Sequence, residues 1–253
     1  MIVILPNLAS SPARVRHHAP EIFGSDIVSY ATTFTDRAAG EPQVILVEVP
    51  EPGSVLRAHY HASDQFQLVL EGTGRLGTHT IEPISLHYTN RFTGYGPIVS
   101  GAQGLSYYVL RPSFDALGLG QYVHHPEVRQ RAKAYRGKRR SFMHNGLVLM
   151  APAALRVLRA PLVSRLFGVD AGEPDAGVFS DLVSLAPGSS FTCPEPSRGG
   201  GQVLFVLQGS AQFAAHELMP PSAITLSSAE AAITISAGSA GLQALLMQYP
   251  RWR

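Results

Sequence analysis

Polar and apolar positions along this chain fall into short runs of strand length, each closed by glycine or proline. The clearest lies between Pro52 and Gly72, PGSVLRAHYHASDQFQLVLEG. Read as a strand, Arg57 to His61 turns Arg57, His59 and His61 to one face and Ala58 and Tyr60 to the other, because successive side chains point to opposite sides. The next run, Gln65 to Leu70, places Gln65, Gln67 and Val69 on a common face. If both faces look into one barrel, its interior holds an arginine, two histidines and two glutamines. Burying so many polar groups is costly unless something pairs with them, so a metal, an organic ligand or ordered water is expected there.

The pattern recurs. QFQLVLEG from Gln65 aligns with QVLFVLQG from Gln202, 137 positions on, and the same shift carries Gly72 to Gly209 and Gly104-Leu105 to Gly241-Leu242. Upstream, Ala39-Gly40-Glu41-Pro42 returns as Ala171-Gly172-Glu173-Pro174, and Pro52-Gly53-Ser54 as Pro187-Gly188-Ser189. A repeat this long predicts a duplicated domain rather than a solenoid. The copies differ in chemistry. Where the first has His59 and His61, the second reads TCPEPSR from Thr192 to Arg198, and its stretch from Ser222 to Ile233 also lacks histidine. Function is therefore expected in the first copy.

The spacing Gly53, His59, His61, Gln65, Gly72 resembles the first motif of the cupin superfamily, in which a glutamate stands where this chain has Gln65. With the repeat, the resemblance covers nearly all of the chain. It implies an all-β fold of two tandem cupin barrels (jelly-roll, double-stranded β-helix) with a partly helical linker, at residues 1–125, 126–165 and 166–253. It also implies a divalent metal ion, Zn, Fe, Ni or Mn, held by His59, His61 and Gln65. The family's second motif supplies a third histidine. In ISLHYTNRFTGYGPIV, from Ile84 to Val99, Tyr95 fills that slot, and His87 is a rival ligand. Neutral nitrogen and oxygen donors suit a first-row divalent ion without selecting one.

On this resemblance the chain is expected to be a metal-binding cupin acting on a small organic molecule, as a dioxygenase-like oxidoreductase. Arg57 would pair with a substrate carboxylate or enolate, for which its planar fork is suited, or else with Asp64 or Glu71. Gln67 would orient the ligand, and Tyr95 would serve as an acid if it is not a ligand. The alternative is a non-catalytic barrel, without metal, that binds or senses a small metabolite through the same side chains.

Composition changes this picture little. The 253 residues suffice for two small β-domains, and 24 glycines with 19 prolines suit short strands joined by tight turns. A net charge of +2 and the lack of a long apolar run point away from nucleic acid and membrane partners. Lone Cys193 precludes an intramolecular disulfide and suits a cytoplasmic location, and no signal peptide is expected. The basic run PEVRQRAKAYRGKRR, Pro126 to Arg140, reads as a solvated helix opened by Pro126 and stopped by Gly137. AALRVLRAPLVSRLF, Ala153 to Phe167, has apolar residues at mixed helical spacing broken by Pro161. The expected partner is a small-molecule ligand or substrate, an anion among the options, with self-association as a homodimer.

Overall fold

The computed structural model describes residues 1–10, 15–18, 27–35, 40–113, 121–122, 126–135, 137–169, 173 and 176–251. Two compact units are present: Ala13–Leu147, and Met1–Pro12 together with Val148–Arg253. Each is an antiparallel β-barrel of the cupin jelly-roll type. Strand β1 (Ile2–Leu5) belongs to the second unit.

The first unit carries β2 (Val15–His18), β3 (Tyr30–Thr33), β4 (Gln43–Val49), β5 (Val55–Leu56), β6 (His59–Tyr60), β7 (Gln65–Leu76), β8 (His79–Ile81), β9 (Ser85–Thr89), β10 (Ile98–Arg111), β11 (Gln121–Tyr122), helix α1 (Pro126–Ala134) and β12 (Ser141–His144). Its main sheet runs β12-β9-β7-β10-β4-β3-β2, and β11 pairs with β6. These strands are rich in β-branched and aromatic residues, which suit a half-buried pleated surface. Val47, Val49, Val69, Leu105 and Val109 turn into the barrel core.

In the second unit come helix α2 (Pro152–Leu155), β13 (Leu162–Gly168), β14 (Phe179–Leu185), β15 (Ser190–Thr192), β16 (Gln202–Phe213), β17 (His216–Leu218), β18 (Ser222–Leu226) and β19 (Thr234–Gln248). The sheet order is β1-β18-β16-β19-β14-β13. Its interior is apolar, from Phe179 and Leu204 to Ile224 and Leu246.

The unit boundaries differ from those read in the sequence at three places. β1 pairs with β18, Ile2 opposite Leu226, so the first residues complete the second barrel. β12 pairs with β9, Ser141 opposite Thr89, so the chain that follows the basic segment adds a strand to the first barrel, and that segment falls within the first unit. Four residues, SFMH, are too short for a pattern beside seven basic side chains. The run from Ala153 forms one helical turn; beyond Pro161, which cannot donate to a helix, it becomes the edge strand β13. Of the repeat landmarks, Ala39 and most of Ala171–Pro174 lie outside the described residues, as does Arg136 of the basic run.

The shared glycines mark one backbone device in both barrels. Gly72 and Gly209 have φ of +77° and +75°, and each sits where paired strands shift register. A Cβ would meet the Gly104 carbonyl oxygen in the first copy and the Gly241 carbonyl oxygen in the second. Gly188 also has positive φ, at +71°, but nothing lies within 4 Å of its Cβ position. Both Gly209→Ala and Gly188→Ala therefore carry left-handed strain of about 1–2 kcal/mol. Only the former also drives a methyl into backbone. Urea unfolding should show Gly209→Ala the less stable of the two by a further ~2 kcal/mol.

Candidate functional site

The polar interior of the first barrel is assembled from β6, β7, β9, β10 and the turn before β10. Backbone bonds His59 N–H to the Tyr95 carbonyl, 3.1 Å, and Tyr95 N–H to the His59 carbonyl, 3.0 Å, hold that turn against β6. His59, His61, Gln65, Gln67, His87 and Arg111 are all buried, as is Tyr95. A small cavity, with about 50 Å³ open to water-sized groups, is walled by Ala31, Ile45, Val47 and Val109 on its apolar side and by His59, His61, Gln67, Tyr95, Tyr107 and Arg111 on its polar side. Gln67 and Tyr107 also face a second, more apolar space, about 10 Å³ and so no larger than a water, lined by Val69, Leu76, Ile98 and Leu105.

One line of hydrogen bonds fixes the direction of every dipole. His59 Nδ1–H donates to the Arg57 carbonyl at 2.7 Å, so Nε2 is the bare nitrogen, and the Tyr95 hydroxyl donates to it at 2.7 Å. The Tyr95 oxygen in turn accepts from Gln65 Nε2 at 2.7 Å and, more weakly, from Gln67 Nε2 at 3.4 Å. Gln67 Oε1 accepts from His87 Nδ1 at 2.7 Å, and Ser141 Oγ donates to His87 Nε2 at 2.8 Å. Each polar group thereby has a partner, as burial demands.

Arg111 supplies the charge. Its Nε donates to Gln65 Oε1 at 3.1 Å, Nη1 to Gln43 Oε1 at 3.2 Å and Nη2 to the His61 ring, 3.1 Å from Nδ1. All three are neutral acceptors. Desolvation, against the Arg57 carbonyl bond and with the nearby Arg111 charge, lowers the His59 pKa from 6.5 to about 4. Burial, with His79 and His59 adding to it, lowers that of His87 to about 3. Burial likewise pushes the Tyr107 phenol well above its ordinary value, so it stays protonated.

The expected site residues are thus brought together, with one correction. Arg57 is exposed, because β6 is confined to His59–Tyr60 and the alternation extrapolated back to residue 57 does not hold. Its carbonyl orients His59; the cavity's guanidinium comes from Arg111, at the end of β10. The repeat contained that signal: Arg111 lies opposite Gln65 as Gln248 lies opposite Gln202, 137 positions on.

The donor set does not fit a divalent metal ion. Gln65 and Gln67 turn amide nitrogens, not oxygens, toward Tyr95, and their oxygens are bonded to Arg111 and His87. Both nitrogens of His87 have partners. Of the expected ligands His59, His61 and Tyr95 line the cavity, but the Tyr95 hydroxyl is hydrogen-bonded to His59, the two imidazole centroids lie 5.2 Å apart, and a guanidinium stands against His61. Among the described residues no three His, Cys, Asp or Glu side chains converge as a metal group would need.

The second barrel shows what the fold tolerates at these positions. Cys193 N–H bonds the Ile233 carbonyl at 2.9 Å just as His59 bonds Tyr95. Together with the 137-residue shift, this equates His59, Gln67, His87, Tyr95 and Tyr107 with Cys193, Leu204, Ile224, Ile233 and Ala244. All five of the latter lie in the apolar core. Burial pushes the Cys193 thiol up to about 12, so it is an inert core thiol.

No protein-family model matches the chain, and no curated protein matches its sequence. Solved structures do match. A candidate dioxygenase from Nostoc punctiforme is similar with a TM-score of 0.63 at 12% identity, over 99% of this chain and 83% of that one. A bacterial pirin in complex with nickel(II), from Escherichia coli, gives 0.56 at 11% identity over 100% of both chains. An oxalate decarboxylase formate complex from Lactobacillus farciminis gives 0.55 at 13% identity over 98% and 90%. At such identities the likeness establishes the fold. Among the described residues no helix is long and apolar enough to cross a membrane.

Acid should destabilise the first barrel. A histidine with a depressed folded pKa binds its proton more readily when unfolded. Its contribution is therefore complete above pH 6.5 and lost as the pH falls toward about 4 for His59 and about 3 for His87. Each pH unit inside that window removes up to about 1.4 kcal/mol per histidine. Denaturant unfolding followed from pH 7 to pH 4 should show this fall, with a shallower slope in His59→Gln.

Proposed function

We propose that this chain, a bicupin in fold, uses its N-terminal barrel to hold a small organic anion, with Arg111 as the charged contact and without a metal ion. The observation that carries this reading is the Arg111 guanidinium, 5% exposed, in the cavity wall beside His61 and Gln65. A cation in a low-dielectric pocket attracts an anion far more strongly than one on the surface, and the planar fork suits a carboxylate. His61, Tyr95 and Gln67 add hydrogen-bonding groups around the bound oxygens. Apolar Ala31, Ile45, Val47 and Val109 would take the rest of the molecule. The second barrel supports the reading, since the same fold fills most of the matching positions with apolar side chains. Apolar replacements of a buried network are often neutral or stabilising, so the polar set is not there to hold the barrel together.

The second reading is a metal-dependent oxidoreductase of the dioxygenase type. It rests on His59 and His61 facing one another, and on similarity to a nickel(II)-bound pirin and a candidate dioxygenase. It requires Arg111 to withdraw from His61 and Gln65.

One substitution separates the two by sign. Gln65→Glu places a carboxylate against Arg111, so it should weaken anion binding, whereas it should tighten a metal site by adding a charged ligand. Calorimetric titration with formate, acetate and pyruvate in the presence of EDTA should show binding to the wild type. Affinity should fall at least ~10-fold in Arg111→Gln, the scale of a lost charge-assisted hydrogen bond, and fall again in Gln65→Glu. Equal affinity in wild type and Arg111→Gln would overturn the proposal.

A further inference from the structure

The hydrogen bond between Tyr95 and His59 joins a proton donor directly to a bare imidazole nitrogen, and both side chains line the cavity. His59 is held as the neutral tautomer by its Nδ1–H bond to the Arg57 carbonyl, which leaves Nε2 as a base. The Tyr95 oxygen accepts from two amides, and the nearer, Gln65, has its own oxygen against the Arg111 guanidinium. Donors aimed at an oxygen stabilise the negative charge that develops on it, so this arrangement favours the loss of the Tyr95 proton to something in the cavity.

Resting on the anion-binding reading above, we infer that His59 and Tyr95 form an acid–base pair that interconverts the keto and enol forms of a short 2-oxo carboxylic acid. With the carboxylate at Arg111, the ketone oxygen displaces His59 Nε2 as the acceptor of the Tyr95 hydroxyl, and the freed Nε2 takes a proton from the carbon next to the ketone. The C–H electrons form the carbon–carbon double bond, the carbonyl π electrons move to oxygen, and that oxygen takes the Tyr95 hydroxyl proton. Imidazolium and phenolate are then left in direct contact, and the proton on Nε2 passes to the phenolate oxygen, which restores both groups. Atoms and electrons balance with no oxidant, reductant, metal or co-reactant. Ile45, Val47 and Val109 face the same cavity and accommodate a short alkyl group on the enolisable carbon. Gln65 is a positioning residue in this scheme; Tyr95 and His59 touch the substrate.

Proton NMR in D2O reads the step without knowledge of the natural substrate. Pyruvate and 2-oxobutyrate serve as probes, with EDTA present so that metal-catalysed exchange is not counted. The wild-type protein should speed deuterium uptake at the carbon beside the ketone over buffer alone. Tyr95→Phe and His59→Gln should each lower that rate about 100-fold, the usual worth of a positioned acid or base. Saturation-transfer signals should show that both variants still bind the probe. Binding by the wild type with no acceleration, or wild-type rates in Tyr95→Phe, would overturn the inference and leave the anion-binding reading standing. Failure of the wild type to bind either probe would overturn both.

Discussion

A guanidinium inside a β-barrel must be solvated by the protein itself, and that requirement organises the first barrel. Arg111 ends β10 with its fork among Gln65, Gln43 and His61, and each of these offers a lone pair to it. With its oxygen so committed, Gln65 can present only its amide nitrogen to Tyr95. The Tyr95 hydroxyl then accepts from glutamine and donates to His59, whose other nitrogen is fixed by the Arg57 carbonyl. The direction of each hydrogen bond follows from the one before it. A charge of the same sign, such as a divalent ion between His59 and His61, would have to share that space with the guanidinium.

The two barrels answer the same topology differently. At matching positions the second replaces histidine, glutamine and tyrosine by cysteine, leucine and isoleucine, and the Arg111–Gln65 pair by Gln248–Gln202, bonded at 2.9 Å. The surviving glutamine pair shows that this strand junction accepts a polar contact without any charge. The strands and the glycine pairs Gly72–Gly104 and Gly209–Gly241 are common to both. Fold and site are thus separable within a single chain: glycine landmarks and alternating apolar residues build the barrel, and a handful of inward positions decide what it holds.

Most of that architecture was legible in the residues. The glycines at a 137-residue shift and the apolar runs between them located both barrels, because register shifts need those glycines wherever they occur. Alternation places His59, Gln65 and Gln67 on inward faces, and the resemblance to the family's second motif places Tyr95 beside them. What alternation missed was long-range. Arg57 is two residues from His59, but the strand is too short to carry the period back to it. Arg111 is 50 residues from His61 and reaches it through pairing across the sheet, which a local pattern does not encode. The same holds for β1 and β12, short strands whose partners, β18 and β9, are remote in sequence.

The direction of the hydrogen bonds was legible only once Arg111 was in place. Read alone, a glutamine in a glutamate's position is a weakened metal ligand; read beside a guanidinium, it is a relay that turns a donor toward a phenol. The claim that matters most is therefore that the barrel's charge is organic and not metallic. Elemental analysis by plasma mass spectrometry, on wild type and His59→Ala purified after exposure to Zn, Ni, Mn and Fe(II), tests it most directly. The account predicts substoichiometric metal, equal in the two proteins. One metal ion per wild-type chain that is lost in His59→Ala would contradict it.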